Sequence, residues 1–134
     1  MRYSIVLNRE MPMGVQLNAL GHVAVGLSHL APKPQQSMRD FKDAAGAFVG
    51  LMSDDPLIVL AAANSDKLRK AFLSVRETDL ITNTFVIDMK DGEPVDQEAA
   101  VLSKAPDGLL FVAVGCWGDG DDVRRAFRRF SLYG

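Results

Sequence analysis

Apolar positions recur along this chain at two spacings, and the switching between them predicts its elements. Residues 3–7 (YSIVL) form a short, partly β-branched run that reads as a strand ending at Asn8-Arg9-Glu10. Met11-Pro12-Met13-Gly14 then breaks the chain, and Leu20, Val23, Ala24 and Leu27 recur at helical spacing. A helix is expected over 15–29, stopped by Ala31-Pro32-Lys33-Pro34 because proline cannot continue it. The run 57–63 (LIVLAAA) is apolar throughout, the pattern of a central strand covered on both faces. Asn64 or Ser65 can cap a helix over 66–77, whose apolar stripe is Leu68, Ala71, Phe72 and Val75. Residues 81–89 alternate as a strand, 95–104 read as a short helix, 109–114 (LLFVAV) as a second buried strand and 121–130 as the last helix. The stretch 37–52 supports two readings: a hairpin of 39–43 and 47–52 turned at Ala45-Gly46, or a helix over 40–51.

Strands alternating with helices predict a sheet with helices packed against it. The length, 134 residues without repeat, low-complexity tract or linker, is that of one domain spanning 1–134. One cysteine, Cys116, permits no internal disulfide, and no basic segment precedes a long apolar run near Met1. No stretch approaches the ~20 apolar residues that span a bilayer. These features lead to the expectation of a cytoplasmic protein without membrane contact. The formal net charge of −2 weakens a nucleic-acid reading, since phosphate backbones are held by clustered Lys and Arg.

Several familiar chemistries have no motif here. There is no Gly-x-Ser-x-Gly elbow, no Walker A loop, no Gly-x-Gly-x-x-Gly after a strand and no His-Glu-x-x-His, so neither a cofactor nor a metal is expected. Gly118-Asp119-Gly120-Asp121-Asp122 resembles a calcium loop but lacks the 12-residue spacing and closing glutamate. It reads better as a turn followed by acidic residues at a helix N-terminus. Arg124, Arg125, Arg128 and Arg129 interleave with Val123, Ala126, Phe127 and Phe130. They read as a solvated helix face, with a phosphate-binding patch as the functional alternative. Cys116, at the end of an apolar strand, reads as a buried structural thiol.

The N-terminal third carries more chemistry. A strand end, a Pro-Met-Gly loop and a helix start form the kind of junction where α/β sheets bind ligands and where free N–H groups hold anions. Asn18 and His22 share one helix face, with His29 further along it. The functional reading is a cleft lined by Asn8, Arg9, Asn18 and His22. The alternative is a set of satisfied structural polar residues, with His22 bonded to a backbone carbonyl.

The same residues carry a resemblance. RYSIVLNREMPMGVQLNALGHVAVG, residues 2–26, resembles the opening of type 2 peptidyl-tRNA hydrolases, with Met13-Gly14, His22, Ala24 and Gly26 matching. The whole chain is more similar to a bacterial domain-of-unknown-function family, number 2000. That similarity rests on the loop and helix start over 9–18, the segments 43–46 and 57–61, and the ending Phe130-Ser131-Leu132-Tyr133. The resemblance implies a three-layer α/β/α fold with a mixed central sheet, as in type 2 peptidyl-tRNA hydrolases. The catalytic lysine of those enzymes has no counterpart, because no lysine lies between Gly14 and His22. Their Asp-Ala-Gly-x-Thr segment is also missing; Thr84 or Asp88 in ITNTFVID would have to stand in.

Three readings follow. The first is a small anionic ligand bound by Asn8, Arg9, Gly14, Asn18 and His22. The second is ester or amide hydrolysis with His22 as general base and Asp88 or Thr84 assisting, tRNA being an allowed partner. The third is a non-catalytic interaction module, a homodimer.

Overall fold

A computed structural model describes all residues, 1–134. Its centre is β1 (Arg2–Asn8), paired parallel to β4 (Leu57–Ala62) on one side and antiparallel to β6 (Phe111–Gly118) on the other. β5 (Ile81–Val86) pairs antiparallel to β6, and β7 (Ser131–Leu132) adds two residues outside β4. The mixed sheet therefore runs β5-β6-β1-β4-β7.

Alternation along β1 builds a core on each face. Tyr3, Ile5 and Leu7 meet Ala19, Val23 and Leu27 of α1 (Met13–Leu30). Val6 turns to the other face and joins Leu68, Ala71 and Val75 of α2 (Ser65–Val75) and Val123 and Phe127 of α4 (Gly120–Phe127). Between β5 and β6, α3 (Pro94–Leu102) lies against the 3₁₀ turn that continues β5 at 87–89. Gly115 in β6 faces α1, where an added Cβ would lie 2.6 Å from Val23 and 2.9 Å from Leu27. Only a residue without a side chain allows the helix so close.

The undecided stretch is a hairpin: β2 (Met38–Lys42) pairs antiparallel with β3 (Phe48–Ser53). The Asp43 side chain accepts from the amides of Ala45 and Ala47, and Gly46 takes φ +83°, the left-handed conformation that a helix over 40–51 could not contain. At its base Asp54 accepts from the Ser37 hydroxyl at 2.6 Å and from Arg39 Nε at 3.0 Å, which holds its carboxyl below the usual range.

Other expectations need correction. β4 is less covered than an all-apolar run suggests: four of its residues are half-buried and Leu57 is 47% exposed, because only the two residues of β7 lie beyond it. β6 starts later than expected and runs on through Cys116 and Trp117 to Gly118, since both its edges find partners. α4 stops at Phe127, and the chain turns back to form β7, which no periodicity announced.

Candidate functional site

The β1–α1 junction is packed shut. Asn8 is buried; its Nδ2 donates to the Phe111 carbonyl at 2.9 Å, and its Oδ1 accepts from the Glu10 amide. Arg9 Nη2 donates to the Gly134 carbonyl at 3.0 Å, with the guanidinium 4.8 Å from the centre of the Tyr133 ring. Tyr133 in turn donates its hydroxyl to Gln16 Oε1 at 2.8 Å, and Gln16 Nε2 donates to the Met11 carbonyl. The C-terminal segment thus sits over the start of α1. Gln16 is the buried polar residue of this helix, and only its tertiary partner Tyr133 distinguishes it from an ordinary surface glutamine.

The remaining residues of the expected cleft lie elsewhere. Gly14 and Asn18 are exposed on the outer side of α1, and His22 is exposed with its ring 5.7 Å from that of Phe85. His22 makes a ring contact rather than a bond to a backbone carbonyl. The structure brings Asn18 and His22 together on one surface but leaves Asn8 buried at the end of the central strand and Arg9 against the C-terminal segment.

The catalytic candidates also separate. Phe85 and Asn83 of β5 face α1, where Asn83 Nδ2 donates to the Val23 carbonyl. Strand alternation turns Thr84 to the opposite face, away from His22. Its hydroxyl is buried and has no hydrogen-bond partner. Asp88 is held by Lys104 Nζ at 2.9 Å. Cys116 is fully buried beside Thr82, and burial pushes its thiol up to about 12. No three His, Cys, Asp or Glu side chains converge as metal ligands.

A cleft does exist at the other end of the sheet. Its volume is about 780 Å³, within the range of small-molecule sites. Leu80, Ile81, Val75 and Ala126 supply apolar lining, and Trp117, the single tryptophan, borders the cleft with Nε1 donating to Asp55. Ser74, at the carboxyl end of α2, and Thr78 and Asp79 in the turn after it form one wall. The other wall is α4, its cap and the turn after it, with Asp119, Asp122 and Arg125 and, past the helix end, Arg128 and Arg129.

The wall of α4 is positive for a local reason. Asp119 caps the helix by accepting from the amides of Asp121 and Asp122. Arg124 pairs with Asp121 at 3.1 Å and Arg125 with Asp122 at 2.9 Å. Arg128 and Arg129 have no carboxylate within 4.0 Å, and both reach the cleft. Sequence periodicity placed all four arginines on one helix; the structure puts Arg128 and Arg129 just past its end, and of the three arginines that line the cavity only these two are unpaired. The acidic segment 118–122 is a helix cap.

No helix is long and apolar enough to cross a membrane. No curated protein matches the chain. Among solved structures it is similar to the protein of unknown function Atu0240 from Agrobacterium tumefaciens strain C58. The identity is 19%, the TM-score 0.86, and the match covers 99% of this chain and 97% of that one. At that identity the likeness is one of fold. The profile of the family described as "Protein of unknown function (DUF2000)" matches residues 1–134 from end to end, and the chain belongs to that family.

Proposed function

We propose that this protein binds a small organic anion in the cleft between α2 and α4. The observation that carries the reading is the pair Arg128 and Arg129, both without a carboxylate partner, on the rim of a cavity of about 780 Å³. Guanidinium groups hold carboxylate and phosphate by paired, charge-assisted hydrogen bonds. The opposite wall has the other sign: it holds Asp79 and the carboxyl end of α2, where helix carbonyls point outward. Such a cleft favours a ligand with an acidic group at one end and a hydrogen-bond donor at the other. Leu80, Ile81 and Ala126 offer apolar contact for the body between them.

The ligand class is the one expected from the β1–α1 junction, moved to the far end of the sheet. The junction itself gives less support, because Asn8 and Gln16 are already satisfied by their own chain. A hydrolase built like the type 2 peptidyl-tRNA hydrolases has no matching geometry, with His22 and Thr84 on opposite faces of β5 and Asp88 ion-paired.

Trp117 provides the readout. Titration with a panel of amino-acid and phosphorylated organic acids should change its fluorescence and raise the melting temperature. A ligand at 100 times its Kd stabilises by about 2.7 kcal/mol. The double substitution Arg128→Ala/Arg129→Ala should remove both responses and leave the ligand-free melt within about 0.5 kcal/mol, as expected of exposed positions. A panel response that survives this substitution would place the ligand elsewhere.

A further inference from the structure

α1 has eighteen residues, and none of them is Lys, Arg, Asp or Glu. An amphipathic surface helix carries charge on its outer side; one that lacks it is built to be covered. Here one side packs on the sheet through Ala19, Val23 and Leu27, while Met13, Leu17 and Val25 are 55%, 56% and 72% exposed. Between them lie Gly14 and Gly21, whose Cα positions have open space above them.

The hairpin β2–β3 has the complementary problem. Nine of its eleven strand residues are exposed, Gly50 and Ser53 are half-buried, and none is buried. Its large apolar side chains face water: Phe48 66%, Val49 67%, Leu51 56%, Met52 59%, Met38 45% and Phe41 43%. A two-stranded hairpin is marginal alone and needs a surface to pack on. Its own chain offers little. The hairpin forms its own sheet and meets the body at its root, where Met38 and Met52 border a groove of about 440 Å³ together with Ala24, Ser28 and Tyr3.

We infer that the occupant of both surfaces is a second copy of this chain, with each hairpin laid across the outer face of the other copy's α1. One twofold operation covers the uncharged helix and the apolar hairpin of both copies at once, as closed symmetric dimers require. Strand alternation divides the hairpin's apolar side chains between its two faces. One face with the exposed side of the helix presents roughly 600 Å² of apolar surface on each copy, most of the roughly 800 Å² per partner of a stable complex, whose rim is polar. The charges do not oppose it. The helix face carries no Lys, Arg, Asp or Glu, Arg39 at the hairpin root is paired within the chain with Asp54, and the other charges of β2, Asp40 and Lys42, are of opposite sign. The groove at the root continues the helix surface, so side chains of the second copy can enter beside Ala24 and Ser28.

Sedimentation velocity of the full chain from low to high micromolar concentration tests the inference. The expected result is a species of twice the 14.6 kDa chain mass. Val25→Lys and Val49→Glu should each weaken the dimer at least tenfold, with the circular dichroism of the folded chain retained. A monomer at all concentrations would overturn the inference. So would a dimer indifferent to both substitutions.

Discussion

β6 and β3 are written in nearly the same alphabet and live in opposite environments. FVAVGCWG in β6 is buried at all eight positions; FVGLMS in β3 has no buried position. β6 hydrogen-bonds to β1 on one edge and β5 on the other, with α1 above and α2 below. β3 has β2 alone. Apolar composition states that a strand profits from being covered. It does not state by what, and in this protein one strand is covered within the chain while the other is left exposed by it.

Truncation should separate the two strands most sharply. Phe111→Ala removes a fully buried ring packed on Phe72 and should cost about 3–5 kcal/mol in chemical denaturation. Phe48→Ala should cost less than about 0.5 kcal/mol at nanomolar concentration, as exposed positions do. At concentrations where the proposed dimer would form, the same Phe48 substitution should lower the melting temperature in proportion to the lost association. Equal costs at the two positions at nanomolar concentration would erase the contrast.

The polar residues of the N-terminal third divide the same way. Asn8→Ala strips the partner from the buried Phe111 carbonyl and the Glu10 amide, for about 1–3 kcal/mol. Asn18→Ala, on the open side of α1, should leave the denaturation midpoint within about 0.5 kcal/mol of the parent.

The smallest effect is a matter of rate. Burial holds the Cys116 thiol at about 12, so almost none is thiolate at neutral pH and no reagent reaches it in the folded chain. Ellman's reagent should label native protein only as fast as the fold opens, whereas a Phe48→Cys thiol on the hairpin should react within seconds. Rapid labelling of Cys116 would mean that β6 is less securely covered than its burial indicates.

Periodicity found the elements whose partners lie close by or whose pattern is unambiguous. β1, α1 and α2 stand within a few residues of expectation, and Asn64 caps α2 by accepting from the Lys67 amide as its side chain suggested. β7 escaped because two residues have no period; their strand geometry comes from β4, more than sixty positions away. The candidate site was legible in residue type and illegible in assembly. Asn18 and His22 share a helix face as their spacing required, yet that face looks outward, and the arginines that reach a cavity are the ones that had read as a solvated face.

The amino-acid sequence by itself determined that the chain folds as an α/β protein, where its first strand and two longest helices lie, that Asn8 and Arg9 precede α1, and that Asn18 and His22 share one of its faces. These follow from periodicity, capping and breakers, which act over a few residues. The tertiary structure alone decided the hairpin, the direction in which each polar residue faces, the sealing of the β1–α1 junction by Tyr133, and which arginines remain unpaired beside a cleft. Those depend on contacts between segments far apart in the chain, and local spacing carries no record of them.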